Sequence, residues 1–395
     1  MSLDSFHVSG TSPTPGRPWR PWRPWRHCRV AILGLGTVGS AVARRLAASD
    51  DHPHGLILTH ICDRRAELKQ ALWSERLGPA RTNWTTQFDD LLSSDADVIV
   101  ETVGGAEPAG DWIRTALSAG KSVVTANKQV MAVHGPSLLT LAARQGRQLR
   151  FEAAVGGALP IVRAIGEGLA GDCLTRIVAI LNGTTNAILS RMDAIGCSFD
   201  EALADARARG YAEADPAMDV DGFDARAKLA ILCAQAFRLR VNPEDIVKRS
   251  SRSITPADID RARAAGGAIR QLAYAAYDRP RQTLTAWVAP AIVPGESIFA
   301  RTVGPRNAAV IAGAFAGDVE MSGIGAGGDA TAVAILSDIL AIARDRAAII
   351  PAPVLSIPQA ILGIRNSEFG IGNSESLVGI LNSECRIPNS YAEAV

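Results

Sequence analysis

The most constraining feature of this sequence is a glycine-rich hexapeptide between a predicted strand and a predicted helix. Residues 34–39 read Gly-Leu-Gly-Thr-Val-Gly, residues 29–33 form a short apolar run, and residues 37–48 have helical spacing. In this context the G-x-G-x-x-G pattern predicts a dinucleotide-binding turn. Its three glycines are Gly34, Gly36 and Gly39. The first permits a tight turn, the second lets the backbone approach a pyrophosphate, and the third allows close helix packing. Thr37 and Val38 open the helix, whose N-terminus favours phosphate.

Strand and helix patterns alternate through the first part of the chain. Strands are predicted at 29–33, 56–62, 97–101 and 122–125, and helices at 37–48, 108–119 and 137–144. Such alternation predicts an α/β fold with a doubly wound parallel sheet, a Rossmann domain over residues 29–150.

The pattern changes near residue 151. Longer helices and amphipathic strands predict an α+β catalytic and dimerisation domain over residues 151–328. Ser198 and Glu201 form a capping-box pattern, and residues 268–293 alternate as a half-buried antiparallel sheet would. A helix near 329–347 is expected to return to the Rossmann domain.

Both ends of the chain differ from this pattern. Pro-Trp-Arg occurs three times in tandem at 18–26, so residues 1–28 are expected to be an extended, disordered leader. Residues 348–395 repeat Asn-Ser-Glu and are expected to form an irregular tail outside the core.

Composition argues against several classes of partner. The 41 basic and 40 acidic residues nearly cancel, which gives no electrostatic case for nucleic acid or an anionic membrane. No apolar run approaches the roughly 20 residues that span a bilayer, and no signal peptide is evident. The six cysteines are scattered without close pairs, which favours a reducing cytoplasm.

Cofactor preference is left open by the residues after the second strand. Asp63 ends that strand, where a carboxylate can accept hydrogen bonds from ribose hydroxyls, and this favours NAD. Arg64 and Arg65 follow at once, and guanidinium groups there can grip the extra phosphate of NADP.

The densest group of ionisable residues is at 210–228. Asp224 and Lys228 are four apart at the start of an apolar helix, so they share one face and Lys228 is expected to be partly desolvated and suited to acid–base work. The alternative is a surface ion pair. The acidic loop before them suits a substrate with an ammonium group, and its members are Glu213, Asp215, Asp219 and Asp221.

Lys128 follows a predicted parallel strand and either points into the ligand crevice or is a solvated loop lysine.

Seven ordered blocks together resemble homoserine dehydrogenase over about residues 29–347. They lie at 34–40, 101–109, 125–128, 151–160, 181–186, 210–228 and 323–338. The resemblance implies NAD(P)-dependent interconversion of L-aspartate 4-semialdehyde and L-homoserine, in the biosynthesis of threonine, methionine and isoleucine. It also implies a homodimer joined through its central sheet.

The resemblance further implies roles for individual positions. Lys228 falls on the proposed general acid/base, with Lys128 and Asp224 completing the catalytic group. The substrate-binding positions are Glu213, Asp219, Asp224 and Thr184. The cofactor-binding positions beyond the glycine-rich turn are Asp63, Arg64, Val103, Gly104, Lys128, Gly210 and Gly327. A monovalent cation, usually sodium, is implied at Glu152, Val155, Gly157 and Leu159, largely through backbone carbonyls.

The sequence departs from the family pattern in three respects. Ala158 replaces a frequent glycine in the predicted cation loop, no ACT domain is expected after residue 347, and no aspartokinase domain is expected before the Rossmann part. Two rivals stand beside the homoserine enzyme. One is a catalytically silent dinucleotide sensor, and the other is a different amino-acid dehydrogenase, such as one acting on aspartate.

Overall fold

The computed structural model describes residues 28–47, 55–77, 82–344 and 360–362. The predicted leader, apart from Cys28, and most of the predicted tail lie outside these residues. Within the part of the chain that is described, no helix is both long and apolar enough to cross a membrane.

The N-terminal part is built on a six-stranded sheet in the order β3-β2-β1-β4-β5-β6. All of its strand pairs are parallel. The strands are β1 (Cys28–Leu33), β2 (Leu56–Cys62), β3 (Asn83–Thr85), β4 (Val98–Glu101), β5 (Ser122–Thr125) and β6 (Leu149–Arg150). The helices between them are α1 (Thr37–Ala47), α2 (Ala66–Leu77), α3 (Phe88–Ser93), α4 (Ala109–Ser118) and α5 (Lys128–Arg144). Every residue of β4 and β5 is buried because helices cover both faces of the sheet. The predicted doubly wound α/β fold is confirmed.

Helix α5 is longer than the sequence predicts. The prediction placed its start at Ser137, after Pro136, but the helix begins at Lys128 and runs through the proline. Asn127 provides the earlier start, because its side chain accepts a hydrogen bond from Val130 N. Pro136 and Leu138 are buried, so tertiary packing offsets the hydrogen bond that proline cannot donate.

The second part is built on a mixed sheet in the order β12-β11-β7-β9-β10-β13, with β8 also paired to β10. Its strands are β7 (Leu174–Ile180), β8 (Val247–Lys248), β9 (Gly267–Asp278), β10 (Thr283–Pro294), β11 (Arg306–Gly313), β12 (Gly317–Ile324) and β13 (Ala360–Leu362). Its helices are α6 (Ile161–Arg163), α7 (Gly183–Ile195), α8 (Phe199–Ala208), α9 (Ala217–Val220), α10 (Phe223–Phe237), α11 (Pro256–Ala264), α12 (Ile298–Arg301) and α13 (Gly328–Ala343). Single turns of 3-10 or π helix lie at Glu152–Ala154, Ala164–Gly168 and Pro243–Asp245. The capping box at Ser198 and Glu201 is confirmed at the start of α8.

Strands β9 and β10 form the predicted antiparallel pair, but the prediction that they are half-buried is wrong. Nearly all of their residues are buried, because apolar clusters pack on both faces of the sheet. On one face Tyr274 stacks on Trp287 with ring centroids 5.1 Å apart. On the other face Ala275 and Leu284 belong to the cluster that contains Leu229 of α10. The sheet is therefore a central layer of the molecule.

Helix α13 packs against the first sheet, as expected for a returning helix. Its residues Ala332, Ile335 and Ile339 share an apolar cluster with Ile32 of β1 and Val42 of α1. Beyond it, the three residues of β13 pair in parallel with β10. Part of the segment expected to be irregular is thus a strand, and the rest of that segment lies outside the described residues.

Leu229 provides a test of the shared core. It is fully buried on α10, so Leu229→Ala should lower the free energy of unfolding by about 2–5 kcal/mol through lost apolar contacts and a residual cavity. The matched control is Leu68→Ala on α2, where the side chain is 60% exposed and the expected loss is below about 0.5 kcal/mol. Urea unfolding measures both, and equal losses in the two variants would contradict this account of the core.

Candidate active site

The three glycines of residues 34–39 differ in what surrounds them. Gly34 has φ +93°, and a Cβ there would lie 2.9 Å from a methyl group of Val103. A Cβ on Gly39 would lie 2.1 Å from the carbonyl oxygen of Gly34. A Cβ on Gly36 would meet nothing within 4 Å. Packing therefore requires the first and third glycines, whereas the second faces open space beside Thr37, the first residue of α1.

Asp63 has more partners than the sequence suggested. Its Oδ2 accepts a hydrogen bond from Leu35 N (2.8 Å) and lies 2.5 Å from Lys69 Nζ, and its Oδ1 accepts one from Arg65 N (2.9 Å). Burial alone would raise the pKa of Asp63, but Lys69 and the two N–H donors lower it. Arg64 beside it is exposed. The carboxylate thus fixes the glycine-rich turn and is neutralised by Lys69.

Sequence reasoning missed Lys69. The signal for it was available, because a lysine in the first turns of the helix after the second strand can reach back to the strand's end. Its Nζ also donates to the carbonyl oxygen of Leu35, 2.8 Å away.

A second missed residue, Glu101, organises the loop after β4. Its side chain is fully buried. Oε1 accepts hydrogen bonds from Val103 N (2.8 Å) and Gly104 N (3.2 Å), and Oε2 accepts one from the hydroxyl of Thr125. Val103 and Gly104 are thereby held at the carboxyl edge of the sheet, beside the glycine-rich turn.

Two residues of the segment 125–128 have different roles. Asn127 holds the local structure, and Lys128 reaches the centre of the candidate site. Asn127 caps α5 and donates from Nδ2 to the carbonyl oxygen of Gly105, 2.6 Å away. Lys128 is the first residue of α5, and its Nζ lies 2.5 Å from Asp224 Oδ1. The sequence left open whether Lys128 points into the ligand crevice or is a solvated loop lysine. Its ion pair with Asp224 favours the first alternative.

Asp224 is the centre of the site. Its side chain is 2% exposed and lies between two lysines, with Lys228 Nζ 2.8 Å from Oδ2 and Lys128 on the other oxygen. Burial alone would raise the pKa of Asp224, but the two ammonium groups hold it well below its usual range. Burial alone would lower the pKa of Lys128, and the Asp224 charge reverses this and raises it. Asp224 is therefore buried and Lys228 is 13% exposed, so the alternative of a surface ion pair is wrong.

Among the described residues, Lys228 has two partners. Its side chain is 13% exposed, which agrees with the expected partial desolvation. Besides Asp224, its Nζ donates to the carbonyl oxygen of Leu181 at 2.8 Å, at the end of β7.

The acidic loop before α10 only partly faces the lysines. Asp219 Oδ1 accepts a hydrogen bond from Asn182 Nδ2 (2.7 Å), and burial raises its pKa. Glu213 is exposed, and its charge contributes to the raised pKa of Lys128. The other two acidic members of the loop have partners of their own, and the role of the loop toward an ammonium group stays a prediction. Asp215 accepts from Ala217 N, and Asp221 binds Ser250 and Arg252.

Three further predicted positions lie at the ends of helices. The hydroxyl of Thr184, in the first turn of α7, donates to the carbonyl oxygen of Tyr211 (2.8 Å) and so ties the 210–213 loop to that helix. Gly210 follows α8 with φ +73°. Gly327, with φ +122°, precedes α13. At the next residue, Gly328, a Cβ would lie 3.1 Å from the carbonyl oxygen of Thr37, so this turn packs on the start of α1.

The predicted cation loop is tightly packed backbone. Gly157 has φ +65°, and a Cβ there would lie 2.3 Å from the carbonyl oxygen of Gly325. Val155 and Leu159 are buried. The Glu152 carboxylate accepts hydrogen bonds from Val162 N and Arg163 N, and burial together with Asp338 raises its pKa to about 8. Within the described ranges, no three His, Cys, Asp or Glu side chains cluster to hold a metal, so any cation here would rely on carbonyl oxygens.

Comparisons with known proteins show the family of the chain. Residues 160–340 match the family model described as homoserine dehydrogenase, and residues 34–152 match the model described as its NAD-binding domain. The chain belongs to the homoserine dehydrogenase family. The homoserine dehydrogenase of Mycobacterium tuberculosis is 42% identical over 328 residues, which are 80% of this chain and 72% of that protein. The Bacillus subtilis enzyme is 34% identical over 80% of this chain and 73% of its own length.

Solved structures of homoserine dehydrogenases have the same fold. The Thiobacillus denitrificans structure has a TM-score of 0.77 and 32% identity, covering 85% of this chain and 79% of that one. A hyperthermophilic archaeal homoserine dehydrogenase in complex with NADPH has a TM-score of 0.68 and 27% identity, covering 82% of this chain and 99% of that one. The predicted family, fold class and NAD(P)-dependent homoserine dehydrogenase activity are confirmed, and a role in amino-acid biosynthesis follows from that activity.

Substitutions at Gly36 and Gly39 can distinguish a glycine that cofactor binding requires from one that packing requires. Gly36→Ala should weaken NADPH binding at least about tenfold, because its methyl group would occupy the space that a pyrophosphate needs, while the Tm of the free protein stays unchanged. Gly39→Ala should lower the Tm, because its Cβ collides with the Gly34 carbonyl. Fluorescence titration with NADPH and thermal unfolding measure the two effects. Unchanged NADPH affinity in Gly36→Ala would exclude this glycine from the binding surface.

Proposed function

We propose that Lys228 is the general acid/base in the interconversion of L-aspartate 4-semialdehyde and L-homoserine. The single observation that carries this is its partly buried position between the Asp224 carboxylate and the Leu181 carbonyl. An ammonium group has three N–H donors, and these two partners leave a third for a substrate oxygen. When bound, NAD(P)H supplies the hydride that reduces the aldehyde carbon. Lys228 donates a proton to the alkoxide that develops there and accepts it back in the reverse direction.

The other charged groups of the site suit an amino-acid substrate. Lys128, kept as an ammonium by Asp224, is proposed to orient the substrate carboxylate or the reacting oxygen. Asp219 and Glu213 are proposed to bind the substrate ammonium, with Thr184 holding the adjoining loop in place. Orientation by these groups supplies part of the rate acceleration.

The cofactor is proposed to bind over the glycine-rich turn, with its phosphates at the start of α1. The proposed contacts are Gly34, Gly36, Thr37, Val38, Gly39, Asp63, Arg64, Val103, Gly104, Lys128, Gly210 and Gly327. The open space over Gly36 supports this placement, as does the loop that Glu101 holds beside it.

NADP is proposed as the preferred cofactor. Asp63, the residue that would favour NAD, is neutralised by Lys69 and already accepts hydrogen bonds from two backbone N–H groups. With that charge compensated, the exposed Arg64 is left to pair with a phosphate on the ribose.

A monovalent cation, sodium, is proposed to bind the loop of Glu152, Val155, Gly157 and Leu159. The fit rests on donor chemistry, because a Cβ on Gly156 would lie 2.3 Å from the Leu159 carbonyl, so carbonyl oxygens rather than side chains line the turn. Oxygen donors suit a hard cation. Such a cation would hold this loop in place between α13 and the second sheet, with no part in proton transfer.

Assembly, location and domain limits are proposals as well. A homodimer formed through the central sheet is proposed from the family resemblance. A cytoplasmic location is supported by the cysteines of the described residues, which are all free thiols. A Rossmann domain over 29–150, joined by the helix near 329–347, and a catalytic domain over 151–328 are supported by the two separate sheets.

Removing the proposed acid/base tests the mechanism. Lys228→Ala should lower the turnover of homoserine by about two to four orders of magnitude, with little change in NADPH binding. The control is Lys121→Ala, because Lys121 donates to the carbonyls of Ser94 and Ala96 and touches no proposed site residue. This control should alter stability but not turnover. Turnover is measured from the absorbance of the NADPH that forms when homoserine is oxidised. Retained turnover in Lys228→Ala would show that Lys228 is not the general acid/base.

Lys69 tests the proposed cofactor preference. Lys69→Ala leaves the Asp63 carboxylate without its neutralising charge, so it should repel the extra phosphate and become available to ribose hydroxyls. The ratio of kcat/KM for NADP to that for NAD should fall about tenfold or more. Arg114→Ala removes the same net charge from the exposed surface of α4 and should leave the ratio unchanged. A ratio that is unchanged or higher in Lys69→Ala contradicts the proposal.

A further inference from the structure

Asn182 lies between the buried carboxylate of Asp224 and the half-buried carboxylate of Asp219. Its side chain is 5% exposed, and its Nδ2 donates to Asp219 Oδ1 at 2.7 Å and to Asp224 Oδ2 at 2.9 Å. Its Oδ1 accepts a hydrogen bond from Thr185 N at 2.8 Å and so caps α7. The amide therefore uses both of its N–H donors on carboxylates and its oxygen on a helix end.

Only an amide on a short side chain meets these demands together. The helix end requires an acceptor and the two carboxylates require donors, and asparagine offers one carbonyl oxygen and two N–H groups. The hydrogen bond from Thr185 fixes which way the amide faces. A serine would keep the cap but lose the bridge, and an aspartate would keep the cap but add a third negative charge.

We propose that Asn182 is a positioning residue for the reaction, which holds Asp219 and Asp224 in one orientation so that Asp219 remains available to the substrate ammonium. The inference rests on the proposed function, because it assigns Asp219 to substrate binding. Asn182 shares Asp224 Oδ2 with Lys228, so it also sets the rotation of the carboxylate that presents Oδ1 to Lys128.

The bridge has a consequence for pH dependence. The charged groups that face Asp219 are Asp224 and Lys228 from α10 and Lys128 from α5. Burial and Asp224 raise the pKa of Asp219, whereas the hydrogen bond from Asn182 and the two lysines lower it. Loss of the bridge removes a lowering contribution, so Asp219 would become protonated at higher pH than in the unmodified enzyme. Binding of the substrate ammonium would then fail at the acidic end of the pH range.

The positioning role of Asn182 can be tested by steady-state kinetics. The full chain oxidises homoserine at saturating NADP, and kcat and KM are measured as a function of pH. Asn182→Ser should raise KM for homoserine more than it lowers kcat, with kcat/KM falling about tenfold to a hundredfold. The acidic limb of kcat/KM should move to higher pH by about one unit. Asn182→Asp should move it further in the same direction, and because this variant is isosteric and keeps the cap, it provides the test if Asn182→Ser does not fold.

Asn127→Ser is the matched control. Asn127 also caps a helix and also donates across the site, but its partner is the carbonyl of Gly105 rather than a carboxylate. Its variant should leave the position of the acidic limb unchanged whatever it does to the rate. An unmoved acidic limb in folded Asn182→Ser or Asn182→Asp overturns the inference. An unchanged KM for homoserine in Asp219→Ala would instead overturn the proposed role of Asp219 in substrate binding, on which this inference rests.

Discussion

The site depends on one buried carboxylate, that of Asp224. An unpaired charge in this buried position would be costly. The Asp224 carboxylate is stabilised by Lys228, Lys128 and the Asn182 amide, and by its place in the first turn of α10. Removing any one of these partners leaves a charge that the remaining groups must compensate. Because Lys128 is the first residue of α5, which covers the first sheet, and Asp224 belongs to the second part, the same ion pair also joins the two parts of the molecule.

The helix ends that surround this carboxylate are built alike. Asn127 and Asn182 each follow a strand, cap the next helix with the side-chain oxygen, and use the amide nitrogen to reach another segment. Glu101 works in a related way at the end of β4, where its two oxygens hold a loop and a neighbouring strand. Residues that start helices are thus the residues that fix the loops of the site, so local folding and site geometry are coupled.

These features explain what the sequence could and could not predict. Periodicity located β2 and β5 to the residue and the Lys228–Asp224 pair to one helix face, because those properties depend on local spacing. Periodicity did not predict that α5 runs through Pro136, because tertiary packing outweighs the cost of a proline inside a helix. Nor could it show that Asp221 turns to Arg252 while Asp219 turns to Asn182, because side-chain directions in a loop are set by segments distant in sequence.

The charge balance of the cluster fits the kind of substrate that the family uses. With both acids ionised, Asp219 and Asp224 carry two negative charges, and Lys128 and Lys228 carry two positive ones, so these four side chains are neutral together, with the exposed Glu213 outside them. An amino acid with one ammonium and one carboxylate group is itself neutral, so its binding would exchange partners within the cluster without burying a net charge. A substrate carrying only one of these groups would leave an uncompensated charge in the site. If the proposed roles hold, discrimination at this cluster would follow from the balance of charges as well as from shape.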